Sequence, residues 1–214
     1  MSFRNLLLTD KVIIELDKAL TTVLGAPPSS GRETPAMNID DTPLNDSERR
    51  QSVALMRVNH AGEVSAQALY QGQALTAKLT NVREAMQQAA AEENDHLLWC
   101  EQRIHELDGR TSLLNPLWYV GSFMIGAVAG RIGDKWSLGF VAETEKQVIE
   151  HLDEHLDKMS EDDLRSRSIL AQMREDERHH QDTALAAGGA ELPWLVRKIM
   201  QPMSKVMTHS SYWL

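Results

Sequence analysis

The sequence predicts an all-α protein: a four-helix bundle of two helical hairpins joined by one long crossover, with further amphipathic helices outside it. Three observations carry this expectation. Apolar residues recur at helical spacings from residue 46 onward, no run rich in Val, Ile and Thr alternates with period two, and the two halves of this region carry the same pattern of Glu and His. At 214 residues the chain is long enough for one well-buried core with extra helices and too short for two ordinary domains.

The elements follow in order. An amphipathic helix is expected over 10–23 within an N-terminal unit 1–24, and 25–44 reads as a linker because it holds Pro27, Pro28, Pro35 and the Ser29-Ser30-Gly31 tract. The bundle domain then runs over 45–214, with helices at 46–78, 82–108, 136–159 and 161–187. Asn45, Asn81 and Ser160 each precede a helical segment, where a short polar side chain can cap free backbone N–H groups, and Gly109 and Gly188 mark stops. Tight turns close the two hairpins, and 109–135 is the crossover, which is the ferritin-like arrangement.

Two segments outside the bundle are unusually apolar. Residues 113–130 are eighteen in a row without a charge, a length that raises a membrane span, but Asn115, Pro116, Ser122 and the glycines at 121, 126 and 130 weaken a lipid-exposed helix, and Arg131, Asp134 and Lys135 follow. In 192–214, Trp194, Leu195, Ile199, Met203, Val206 and Met207 recur at helical spacings against Arg197, Lys198 and Lys205, the pattern of an interfacial helix. Four of the five tryptophans, at 118, 136, 194 and 213, fall in or beside these segments, where amphipathic rings favour the headgroup level. Both segments, near 113–135 and 192–214, are therefore expected at a membrane surface, and packing on the bundle is the plain alternative.

Charge and cysteine remove several classes of function. A net charge of -9 excludes nucleic acid as the main partner, since phosphate binding needs clustered Lys and Arg. The single cysteine, Cys100, excludes an internal disulfide framework and any tetracysteine metal site, and suits a reducing compartment. Asp10, Glu15 and Asp17 near the start match neither a signal peptide nor a transit peptide, so the start reads as cytoplasmic and bacterial-like.

The chemistry lies in a repeat. Glu93-Asn94-Asp95-His96 and Glu177-Arg178-His179-His180 each set a Glu and a His three apart on one helical face; Glu63 stands thirty residues before Glu93 and Glu145 thirty-two before Glu177. Each hairpin thus supplies Glu, then Glu-x-x-His. The faces are apolar: Met86, Ala89, Ala90, Leu97, Cys100 and Ile104 accompany Glu93, while Leu138, Val141, Ala142, Val148, Ile149 and Leu152 accompany Glu145. Leu170, Met173, Ala184 and, to one side, Leu185 accompany Glu177 and His180. Four inward carboxylates cost several kcal/mol each unless positive charge compensates. No Arg or Lys is read on those stripes in the 82–108 and 136–159 helices, and Arg174 only adjoins the 161–187 stripe, so two divalent cations are the economical answer. The oxygen-rich, nitrogen-poor donor set suits iron or manganese. Among the other polar residues, His151 is the one singled out for catalysis, as a group beside a metal ligand or in proton transfer. His60 and His155 are weaker candidates, and Asp95, Asp176 and Asp182 are candidates to orient the imidazoles, with a solvated role the alternative for each.

Arg57-Val58-Asn59-His60-Ala61-Gly62-Glu63, Ala91-Glu92-Glu93-Asn94-Asp95-His96 and Arg174-Glu175-Asp176-Glu177-Arg178-His179-His180 together resemble the demethoxyubiquinone hydroxylase family of ubiquinone biosynthesis. The likeness runs from about residue 46 to the C-terminus. It implies a carboxylate-bridged centre of two iron ions per chain, held by Glu63, Glu93, His96, Glu145, Glu177 and His180. It implies an O2-dependent monooxygenase that hydroxylates the ring of 2-polyprenyl-3-methyl-6-methoxy-1,4-benzoquinol, with NADH or the quinol itself as electron donor. The expected place is peripheral, on the cytoplasmic face of the cell membrane, with a homo-oligomer and partners in a biosynthetic complex compatible with that role. Leu152 stands where some eukaryotic relatives have an aromatic residue, which argues against a tyrosine electron route there. The rivals are a membrane quinol oxidase of the alternative-oxidase type, which sends all oxygen to water, and a ferritin-like iron-storage or detoxification protein. A rubrerythrin-like peroxidase would bring a tetracysteine iron domain that one Cys cannot make.

Overall fold

The computed structural model describes residues 8–25 and 28–214; residues 1–7 of the N-terminal unit, and Ala26 and Pro27 of the expected linker, lie outside them. The described residues form seven helices and no strand: α1 (Leu8–Leu24), α2 (Asp46–Thr76), α3 (Thr80–Glu106), α4 (Asn115–Ile132), α5 (Asp134–Lys158), α6 (Leu164–Ala186) and α7 (Trp194–Trp213). Helices α2 with α3 and α5 with α6 form the two expected hairpins, α4 is the crossover, and α1 and α7 lie against α2.

Local chemistry explains most ends. Asn45 caps α2 by accepting from the backbone N–H of Ser47 and Glu48, while Glu48 accepts from the N–H of Asn45, a reciprocal capping box. Two expected caps are corrected. Asn81 lies inside α3; the turn before that helix is instead held by Asp134, whose carboxylate accepts from the N–H groups of Lys78 and Leu79. Ser160 precedes a turn, and Asp163 caps α6 through Ser166 N–H. In both cases a carboxylate supplied by the tertiary fold or a few residues downstream is the better acceptor. Gly188 takes a φ of +95° after α6, as a stop glycine should, whereas after α3 it is Asp108 and not Gly109 that turns left-handed.

Among the described residues the core has three apolar clusters, a small one of Val64, Ala68, Leu97 and Tyr119 from α2, α3 and α4 and two larger ones that flank the inward Glu residues. One larger cluster gathers Leu55, Met56, Trp99, Cys100, Ile104, Leu152, Met159, Ile169, Leu170 and Met173; the other gathers Ala66, Tyr70, Ala74, Val82, Met86, Ala90, Leu138, Val141, Ala142 and Ala184. On each of the four bundle helices the inward Glu falls in sequence between its contributions to the two larger clusters. A polar layer is thus enclosed between two hydrophobic plugs that exclude water and bring the hairpins together. Leu185 departs from the expected stripe and is 49% exposed. The reading of α3 as free of buried cations is also corrected: Arg103, seven residues beyond His96, is buried. Its guanidinium is taken up by Asp163 at 2.8 Å, Asp41 at 3.0 Å and Glu106 at 3.0 Å, so its charge serves the helix ends and not the polar layer.

The glycines of the crossover have a packing role. A Cβ on Gly72 would run into the backbone at Phe123 and Ala127, one on Gly126 into the backbone of Leu69, and one on Gly130 into Thr76 and Gln73. Helices α2 and α4 therefore meet backbone to backbone. The outward side of α4 carries Leu113 just before it and Leu117, Val120, Met124 and Val128 along it, all exposed. No helix among the described residues is long and apolar enough to cross a membrane. Helix α7 exposes Trp194, Leu195, Ile199, Met203 and Val206, and its end is tied back by Trp118 Nε1 donating to Ser211 Oγ at 3.1 Å and by Leu113 N donating to Leu214 O at 2.9 Å.

Residues 28–44 carry no helix, as a linker would not, yet they lie on the bundle. Ser29 Oγ and the Ser30 N–H donate to Asp95, Ala36 is buried among Trp99 and its neighbours, and Asp41 meets Arg103.

Candidate metal centre

Every one of the six residues expected as ligands lies in the polar layer. Glu63 comes from α2, Glu93 and His96 from α3, Glu145 from α5, and Glu177 and His180 from α6, and each is buried. One donor atom from each of Glu63, Glu93, His96 and Glu177 lies within 4.8 Å of the others. His96 Nδ1 is 3.0 Å from Glu93, 3.2 Å from Glu177 and 3.7 Å from Glu63; His180 Nδ1 is 3.2 Å from both Glu93 and Glu177. Glu93 and Glu177 each present one oxygen to His96 and the other to His180, so these two carboxylates span the centre. Glu145 lies against this group and accepts from the phenol of Tyr70.

The imidazoles are held from behind by a crossed pair of acids. His96 Nε2 is 2.9 Å from Asp176, the residue before Glu177, and His180 Nε2 is 2.7 Å from Glu92, the residue before Glu93. An acid accepting from Nε2–H leaves Nδ1 as the donor atom facing the centre. Asp176 thus does what was expected of it. Asp95 faces residues 29–30 instead. Glu92 was missed, although the repeat contains the signal: acid-Glu-x-x-His occurs in both hairpins.

The electrostatics call for positive charge. Burial, then Glu93, push Glu63 well above the usual carboxylate range against the pull of His96, and burial, then Glu177 and Glu93, do the same to Glu145. Glu93 is pushed up by burial but held well below that range by His96 and His180. The imidazoles respond in kind. Burial opposes their charge, yet Glu93 and its neighbours raise His96 well above its ordinary value, and Glu177 and Glu93 raise His180 to about 12. Four carboxylates in a dry interior need cations. Among the described residues the ion pairs of Glu63, Glu93 and Glu177 are all with these two imidazoles. Four carboxylates and two imidazoles converging in a dry layer fit a pair of divalent ions.

The remaining histidines lie elsewhere. His151 packs against His155 with ring centroids 3.8 Å apart and the rings tilted by 57°, in a crevice of about 940 Å³ shared by α2, α5 and α7. His155 Nδ1 is 3.0 Å from Asn59 Oδ1, and burial lowers His151 to about 4 and His155 to about 2. The structure does not bring His151 among the carboxylates. His60 is buried beside Asn115 at 3.3 Å, and burial, then His105, lower it to about 4.

Known proteins identify the family. The family described as ubiquinone biosynthesis protein COQ7 matches residues 50–211, which include all six candidates. The chain belongs to this family. Among its COQ7-family relatives, a 3-demethoxyubiquinol 3-hydroxylase of Nitrosococcus oceani is 58% identical over 214 residues, covering 100% of both chains. Proteins of the same name from Legionella pneumophila strain Paris and from Azoarcus sp. are 54% and 56% identical, covering 96% and 95% of this chain and 97% and 98% of theirs. Among solved structures, a dodecameric thioferritin, the bacterioferritin-related protein of Bacteroides fragilis, aligns with a TM-score of 0.55 at 18% identity. It covers 64% of this chain and 84% of its own. That likeness establishes the ferritin-like fold of this COQ7-family chain.

Proposed function

We propose that this protein is a di-iron monooxygenase that hydroxylates the ring of a 2-polyprenyl-3-methyl-6-methoxy-1,4-benzoquinol in ubiquinone biosynthesis. The observation that carries the reading is the convergence of both Nδ1 atoms on the shared carboxylates Glu93 and Glu177. Glu63, on the His96 side, and Glu145 complete the two ligand sets. The chemistry supplied by a bound iron pair is activation of O2, one atom entering the ring and the other leaving as water, with two electrons from NADH or from the quinol.

The residues of the chain do the positioning. Tyr70, buried and raised well above its ordinary pKa by burial and Glu145, stays a phenol and holds Glu145 by donating to it. Asp176 and Glu92 hold the imidazoles in one tautomer. A cavity of about 440 Å³ between α1, α2 and α3 is lined by Tyr70, Met86 and Ala90, by the amides of Gln67, Gln71 and Asn94, and by Asp17 and Lys18 of α1. An apolar wall with a few donors and acceptors suits a substituted quinol ring. The polyprenyl tail is accommodated by bilayer contact. Exposed apolar residues of α4 and α7, with Arg197, Lys198 and Lys205 nearby, favour peripheral docking on the cytoplasmic membrane face.

The test is incubation of the iron-loaded protein with demethoxyubiquinol, reductant and 18O2. One labelled atom in the ring supports the hydroxylase. Label in water alone supports a quinol oxidase, and oxidation of iron with the quinol untouched supports iron handling.

A further inference from the structure

We propose that Arg32 is a positioning residue that locks the His96 side of the centre, so that metal loads and leaves through the His180 side. The inference rests on the two-ion reading above. It starts from an asymmetry between two halves that are otherwise repeats. Asp176 Oδ2, which holds His96 Nε2 at 2.9 Å, also accepts from Arg32 at 2.7 Å, while its other oxygen accepts from Gln172 at 2.9 Å. The guanidinium lies 5.0 Å over the ring of Trp99, and that ring packs against His96 at 5.5 Å. Arg32 therefore fixes both the acid and the aromatic ring that hold one imidazole.

Arg32 is in turn fixed by its own segment. Ser29 and Ser30 donate to Asp95 on α3, Asn94 Nδ2 donates to Pro28 O at 3.1 Å, and Ala36 is buried in the core. Among the described residues, no such strap holds the matching acid on the other side. Glu92 accepts from His180 and from Gln88 on its own helix, and its side chain is 34% exposed against 18% for Asp176. A ligand leaves its ion by swinging away from it. His96 can swing only by leaving an acid that Arg32 and Gln172 hold in place and moving against the Trp99 ring that the guanidinium covers, whereas the more solvated carboxylate behind His180 can move with its imidazole.

The experiment is chelator-driven iron release from the anaerobically loaded protein, followed by the colour of the ferrous chelate. Wild type is expected to release its two ions in two phases of equal amplitude. In Arg32→Gln the slow phase should accelerate several-fold, less than the about 10-fold or more expected from losing Asp176, the imidazole's own partner, with the fast phase unchanged. Arg32→Lys, which keeps a cation beside Asp176, should restore part of the slow phase, and Tm should match wild type because Arg32 is a surface residue. Equal acceleration of both phases, an unchanged slow phase in Arg32→Gln, or single-phase release of two ions by wild type would each overturn the inference. A wild-type protein that binds no iron would instead overturn the centre itself.

Discussion

The carboxylate of Asp176 on α6 stands 2.9 Å from Nε2 of His96 on α3, so the acid of one motif orients the imidazole of the other. Glu92 repeats the relationship with His180 at 2.7 Å, and the two hairpins are interlocked through their outer acids as well as through Glu93 and Glu177. Neither hairpin holds a complete centre.

This crossing predicts the effect of removing either acid. Asp176→Asn and Glu92→Gln should each weaken metal binding by about 10- to 100-fold, the usual effect of losing the partner of a ligating His, while circular dichroism stays helical. Titration calorimetry with Fe(II) or Mn(II) checks this, and unchanged affinity in both variants would remove the proposed role of the pair.

Glu93→Ala or Glu177→Ala should do more. Each deletes a carboxylate that faces both imidazoles, so stoichiometric metal should be lost from both sites at once. Iron analysis after gel filtration reads the result, and one ion retained per chain would show that the carboxylate serves a single site.

The contact between α2 and α4 is testable without metal. Gly126→Val places its side chain into the backbone of Leu69, and helices that meet through glycine have no side chain able to give way. The expected loss is at least the ~1–3 kcal/mol of an overpacked core, read as a lower denaturation midpoint. Gly121→Ala, where a Cβ meets open space, is the control and should be neutral or slightly stabilising.

His155 predicts a pH dependence. Burial lowers it to about 2 from the ordinary 6.5, so below pH 6.5 the unfolded chain takes up a proton that the folded one refuses. Its contribution is present above pH 6.5 and is lost as pH falls toward the folded value, at up to about 1.4 kcal/mol per pH unit. His155→Gln should flatten the fall in Tm between pH 6.5 and 4.5 relative to wild type. Equal slopes would mean that His155 is protonated in the fold.

Docking on a bilayer rests on the outward stripe of α4. Val120→Glu with Met124→Glu should abolish co-sedimentation with anionic vesicles while leaving Fe(II) binding intact, because both side chains face away from the bundle. Undiminished co-sedimentation would assign the membrane contact to other surfaces.

The amino-acid sequence by itself determined the helices, the two hairpins, the crossover and the six candidate ligands. These are periodic or repeated features: an inward face recurs every three or four residues, and a chelating Glu-x-x-His needs only one turn of helix. What it left undecided depends on residues far apart in the chain. Residues 28–44 read as a linker in composition and become a strap only when Asp95 and Asp176, 81 positions apart in sequence, receive Ser29, Ser30 and Arg32. Asp134 replaces Asn81 as the acceptor at the start of α3 because the crossover returns its end to that turn. His151, close to Glu145 in sequence, is carried away from the carboxylates by the turn of α5, and Arg103 is inward on its stripe but neutralised by acids from other segments. Helical periodicity is a property of neighbours along the chain, whereas the partner of a buried charge is chosen by distance in space, and only the packed helices settle that.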